Sequence, residues 1–188
     1  MFSQCLKWAL LPLAAAVLTA CVSDDDSPYA RRPAFFRFSP VTAAPSSLYP
    51  ALGNVGEWCI ITKQANAYRF ESLTTHRVDT YPLTQLDAYG TPTWVSGLIV
   101  GTPSSPDMSG LFLPTAYDLV CPNCFEDDGI TRPVSVTEVI PARAQCSRCH
   151  TTYDLDNGGI VIDSPEPQPR RLFRYRCRYD NNTFVVQN

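Results

Sequence analysis

From residue 57 onward, short apolar runs alternate with polar punctuation. Val, Ile, Tyr, Phe and Thr gather at 57–63, 67–73, 78–83, 93–100, 111–113, 117–121, 133–140, 160–162, 172–179 and 183–186. Pro, Gly, Asn and Asp break the chain between them at roughly ten-residue intervals, the spacing of a sheet protein. No stretch of a dozen residues carries a helical period free of proline, so the pattern predicts an all-β chain. Asp180-Asn181-Asn182 between the last two runs has the composition of a hairpin turn.

The N-terminus follows a different rule. Lys7 precedes an apolar stretch from Trp8 to Ala20, too short to span a bilayer and typical of a removed export signal. It closes in Leu18-Thr19-Ala20-Cys21, which resembles the bacterial lipobox. The resemblance implies cleavage after residue 20, lipid on Cys21 and a firm multi-chain membrane anchor, as in an outer-membrane lipoprotein. The run Ser23-Asp24-Asp25-Asp26 resembles the surface-export signal of Bacteroidetes lipoproteins, and reads equally well as a solvated acidic tether. Cell-surface and periplasmic placement both stay open. Residues 21–50 hold Ser, Ala, Pro and Arg with little periodicity, as a tether does. Phe35, Phe36 and Phe38 interrupt it, and the expectation is that its second half lies on the surface of a domain at 51–188.

Charge adds one exclusion. With 15 Lys and Arg against 18 Asp and Glu, the net charge is −3, and the chain has no electrostatic footprint for nucleic acid. No second apolar run approaches the ~20 residues of a spanning helix.

The chemistry lies in cysteine. Of the 8 cysteines, Cys5 falls in the signal and Cys21 at the lipidation position. Four of the rest form Cys121-Pro122-Asn123-Cys124 and Cys146-Ser147-Arg148-Cys149, two knuckles at a spacing typical of metal sites. Each knuckle turns two thiolates toward one point, and two complete a tetrahedron suited to zinc or to an iron–sulfur centre. Export to an oxidising compartment leaves a metal-free alternative, two disulfides among the same four. Cys59 and Cys177 fall in the first and penultimate strands of the domain. Terminal strands are often neighbours in small barrels, which suggests a further disulfide, against the alternative of two buried thiols.

The second knuckle continues as His150-Thr151-Thr152-Tyr153-Asp154, a Gly turn at Asn157-Gly158-Gly159, a proline loop over 164–169 and a closing hairpin. This resembles the second cluster-binding box of Rieske iron–sulfur domains, and Tyr117-Asp118-Leu119-Val120-Cys121 resembles the strand entering the first. The resemblance covers 53–188 and implies a small β barrel or sandwich with a two-knuckle subdomain at about 117–163. It places Thr151 where the family has a serine bonding a bridging sulfide, and Tyr153 where a tyrosine bonds a ligand thiolate. The ligand set departs from the family. A Rieske cluster takes two His on one iron. Here Cys149 holds the second-box His position, His150 falls on the Gly, and Asn123 holds the first-box His position with Cys124 just beyond. The set therefore reads Cys₄. His76 lies far upstream and reads as a surface residue.

Four thiolates leave zinc no open position for water, so hydrolysis is not expected. The leading expectation is a non-catalytic lipoprotein with a structural zinc site, engaging a protein partner through Pro122, Phe125 and Tyr153 unless these merely cover the site. The alternative is electron transfer through a [2Fe–2S] cluster on the same loops, at a potential well below a His-ligated centre. Thiol–disulfide chemistry calls for a helix after the knuckle, and neither knuckle precedes a helical pattern. Neither a nucleophile elbow nor a phosphate loop is present in the sequence.

Overall fold

The computed structural model describes residues 27–85 and 92–188. The export signal, Cys21 and the acidic run 24–26 lie outside the described residues. The all-β expectation holds in outline, and two short helices join the strands.

In chain order these elements are β1 (Phe35–Phe38), α1 (Leu48–Gly53), β2 (Trp58–Gln64), β3 (Ala67–Ser72), β4 (Val78–Pro82), β5 (Leu98–Gly101), β6 (Thr115–Asp118) and α2 (Pro122–Asp128). Then follow β7 (Ser135–Val139), β8 (Ala142–Gln145), β9 (Thr152–Asp154), β10 (Ile160–Asp163), β11 (Arg174–Asp180) and β12 (Thr183–Gln187). Eight strands form one antiparallel sheet in the order β1-β12-β11-β6-β5-β2-β3-β4, and the other four a second sheet, β10-β9-β8-β7.

The large sheet curls on itself. β1 lies at one edge, yet Phe36 meets Tyr68 of β3 edge-on at 5.4 Å, and Phe38 packs on Phe70 at 4.6 Å and on Tyr81 of β4 at 5.0 Å. Aromatic rings thus close the curl where backbone pairing stops. Inside it Leu48 and Ala51 of α1, Ile61, Val100, Ala116, Tyr175 and Phe184 form one buried core. The segment expected as a tether supplies Ala34, Phe36, Phe38, Val41, Ala44 and Leu48 to this core. The folded body therefore begins near residue 30 rather than at 51. The expectation failed because a strand of four residues and a helix of six are too short to carry a readable period.

A second core lies on the other face of the sheet. Trp58, Ile99 and Tyr117 pack there against Ala142, Ala144 and Tyr153 of the four-stranded sheet and Leu155 just beyond β9. β5 and β6 are consequently buried on both faces, which explains the unbroken apolar run Leu98-Ile99-Val100 in β5. Gly101 serves this packing, since a Cβ there would stand 2.5 Å from the Trp58 ring. The predicted run at 111–113 is not a strand, and its three side chains are exposed. The closing hairpin turns through Asn181 and Asn182 at φ 46° and 58°, the left-handed pair of a two-residue turn.

Cys59 and Cys177 are both free thiols. β5 and β6 stand between their strands, β2 and β11, too far apart for a disulfide, which needs Cα atoms within about 7 Å. Cys59 is fully buried, and burial pushes its thiol well up. Cys177 donates to the Pro114 carbonyl at 3.1 Å.

Candidate metal centre

Each knuckle follows from its local sequence. β6 leads through Leu119 and Val120 to Cys121, whose N–H donates to the Arg132 carbonyl at 2.8 Å. Cys121 is the N-cap of α2, with Pro122 in the first turn, where a missing N–H costs nothing. One turn brings Cys124 back over Cys121, and Gly129 ends the helix in the left-handed conformation. The expectation that no helix follows either knuckle is therefore corrected for the first. At seven residues α2 lies below the reach of a periodicity argument.

The second knuckle joins β8 to β9. Cys146 N–H bonds the Thr151 carbonyl and His150 N–H the Cys146 carbonyl, both at 3.0 Å. The turn needs a left-handed residue, supplied by His150 at φ 58°. The imidazole is exposed and makes no hydrogen bond among the described residues, and His150 shapes the knuckle through its backbone. His76 is also exposed.

The two knuckles meet. All four Sγ atoms of Cys121, Cys124, Cys146 and Cys149 lie within 4.8 Å of one another. Across the knuckles, Cys121 Sγ is 3.5 Å from Cys149 Sγ, and Cys124 Sγ is 3.7 Å from Cys146 Sγ. A single ion with ~2.3 Å metal–sulfur bonds needs tetrahedral edges of ~3.8 Å, close to these separations. The four cysteines can therefore hold one metal ion. All four are buried, Cys149 being the most accessible at 9%. Its rim borders a small cleft between α2 and Glu166.

Uncharged donors surround the sulfurs. Tyr153 Oη lies 3.5 Å from Cys121 Sγ, and Arg148 N–H reaches Cys146 Sγ at 3.4 Å. Thr151 Oγ1 is 3.3 Å from Cys149 Sγ, accepting from the thiol and able to donate to the thiolate. Asn123, buried inside the first knuckle, links three segments. Its Nδ2 donates to Thr151 Oγ1 at 3.0 Å and points toward Cys149 Sγ at 4.0 Å, while its Oδ1 accepts from Arg170 N–H at 2.8 Å. Ser164 Oγ of the proline loop completes the set, 2.7 Å from Thr151 Oγ1.

The rim arginines are engaged elsewhere. Arg148 pairs with Asp128 and Arg170 with Asp127, while Arg132 donates to Ser147 Oγ. Protein cations thus do not neutralise the sulfurs. Burial pushes the Cys121 thiol up to about 11 and raises Cys124 further. Burial also acts on Cys149, but hydrogen bonds from Thr151, Cys121 and Cys146 outweigh it and bring that thiol down to about 7. A dry pocket of thiolates is electrostatically unfavourable unless a cation sits among them.

Pro122 and Tyr153 are buried and cover the site instead of presenting a partner surface. Phe125 packs edge-on to Phe173, under the Arg32 guanidinium at 4.4 Å. Sequence reasoning placed Thr151 and Tyr153 beside the site and missed the linking role of Asn123 and Ser164. The signal available for Asn123 was an amide inside a buried knuckle, which needs partners. Comparison with protein-family models, with curated proteins and with solved structures finds no match to this chain.

Proposed function

We propose that this protein is a lipid-anchored, exported, non-catalytic module whose Rieske-like domain is held together by one structural zinc on Cys121, Cys124, Cys146 and Cys149. The observation that carries the reading is the convergence of four buried sulfurs within 4.8 Å of one another. That spread suits one tetrahedral ion. A [2Fe–2S] cluster divides its four thiolates between two irons and sets the pairs further apart. With every position taken by sulfur, zinc has no site for water and acts as a cross-link. In this reading lipid on the lipobox-like Cys21 anchors the module to a membrane, facing the periplasm or the cell surface, where it meets a protein partner.

The contact of Tyr153 with Cys121 supports the Rieske-like reading, because a bond to a ligand thiolate is the role that the resemblance implies for that tyrosine. The test is metal content, optical spectrum and thiol count of residues 27–188, which contain both cores. One zinc per chain with no visible absorbance supports the structural site. Iron with labile sulfide and charge-transfer bands replaces it with the electron carrier. Absence of metal together with absence of free thiols replaces it with disulfides.

A further inference from the structure

A second concavity lies away from the four-cysteine centre, between β11, the 103–114 loop and the turn joining β9 to β10, with Cys177 in its wall. Its volume is about 580 Å³, within the range of small-ligand sites. Met108, Leu111, Leu113 and Pro114 give it an apolar wall, and Tyr29 and Tyr179 add aromatic surface. Met108 is fully exposed and Leu111 and Leu113 are half exposed, so water meets apolar side chains there without evident structural need.

Four charged side chains line the cavity, and three are satisfied. Asp107 accepts from the Ser109 and Leu111 N–H groups at 2.8 and 2.9 Å. Asp156 accepts from Ser104 N–H and Oγ and from Ala142 N–H. Arg178 pairs with Asp180 at 2.7 Å. Arg174 stands apart. Its guanidinium makes no hydrogen bond or ion pair among the described residues, and its Nε is buried without a partner. Its guanidinium carbon lies over the Tyr29 ring at 5.4 Å, and that of Arg176 over the same ring at 4.8 Å. Aromatic stacking leaves the in-plane N–H edge free, the edge with which arginine grips a carboxylate or phosphate. Nε itself is shielded from solvent, so an anion in the cavity meets the terminal N–H groups of Arg174.

We propose that this cavity binds a small amphipathic anion, its carboxylate or phosphate head on Arg174 and its apolar body against Met108, Leu111 and Leu113. The site is separate from the cysteine centre and independent of the metal held there.

The test is calorimetric titration of residues 27–188 with octanoate, octyl phosphate, 1-octanol and acetate. The expected result is saturable binding of octanoate or octyl phosphate below ~1 mM, with octanol at least ~10-fold weaker for want of the charge-assisted hydrogen bonds. Octanoate and octyl phosphate distinguish the two head groups. Acetate binding as tightly as octanoate overturns the apolar half of the proposal. Arg174→Gln should abolish the difference between octanoate and octanol while the thiol count and melting temperature stay near those of the parent. Met108→Asp, at a fully exposed position, should weaken octanoate several-fold and serves where Arg174→Gln does not fold. Equal affinity for octanoate and octanol, or binding unchanged in both variants, overturns the proposal.

Discussion

Tyr153 reaches across from β9 to place its hydroxyl 3.5 Å from Cys121 Sγ, so the strand leaving one knuckle stabilises the other. The ring is fully buried. Tyr153→Phe keeps the ring and removes the O–H···S bond alone. The expected cost is about 1 kcal/mol in thermal or denaturant unfolding and about tenfold in zinc affinity, read by chelator competition.

Asn123 bears more. Asn123→Leu leaves the Arg170 N–H and the Thr151 hydroxyl without their partner and detaches the proline loop from the first knuckle. Stability should fall by about 2 kcal/mol and metal affinity by about 10- to 100-fold. Asn123→Asp keeps an acceptor for Arg170 N–H but removes the amide donor and sets a negative charge beside Cys149, so it should recover only part of the loss.

Metal uptake depends on pH in a definite direction. Cys149 in the metal-free protein ionises near 7, below its ordinary 9.0, whereas Cys121 is held up to about 11. The depressed thiol contributes stability that is fully present above 9 and is lost as pH falls from 9 to 7. The raised thiol acts oppositely, lowering stability as pH rises from 9 to 11. Binding displaces the remaining thiol protons, so zinc affinity should weaken steadily below pH 9. Calorimetry in buffers of different ionisation enthalpy measures the protons released. In metal-free protein at pH 8, iodoacetamide should modify Cys149 first.

The N-terminal segment should be indispensable. A chain starting at residue 27 keeps the whole core, whereas one starting at 51 loses Phe36, Phe38 and Leu48 and should fail to melt cooperatively. Phe38→Ala, which opens the contact with Phe70 and Tyr81, should cost about 3–5 kcal/mol in denaturant unfolding.

Asp118 holds the sheet beside the first knuckle. Its carboxylate accepts from Val95, Ser96 and Val120 N–H and from the Tyr175 hydroxyl at 2.7 to 3.1 Å. Asp118→Ala strands four donors, two of them buried and two half-buried, and should cost about 3 kcal/mol in chemical denaturation. Asp118→Asn should recover part of that loss.

The strands and the cysteine site were largely readable from the chain because each rests on local regularity. Apolar runs bounded by turn residues gave β2, β3, β11 and β12, and the two Cys-x-x-Cys spacings gave the sulfur cluster. What escaped depends on distant partners. β1 looks like linker until Tyr68, Phe70 and Tyr81 curl round to meet it. The strands carrying Cys59 and Cys177 are close to the domain ends in sequence, yet β5 and β6 enter the sheet between them. Asn123 stands in the sequence at the first-box His position, and its partners Thr151 and Arg170 lie 28 and 47 positions away.

Ile99 and Val100 are neighbours in β5, yet each belongs to a different core. Neither half of the molecule can then melt without exposing one side of a strand that the other half still needs. An ion bound at the cysteines would brace the core that holds Ile99 and Tyr117, and through the same backbone the core that holds Val100 and Phe38. Occupancy at one end of the domain should therefore be felt as slower amide exchange at the other, turning a local cross-link into a brake on unfolding of the entire body.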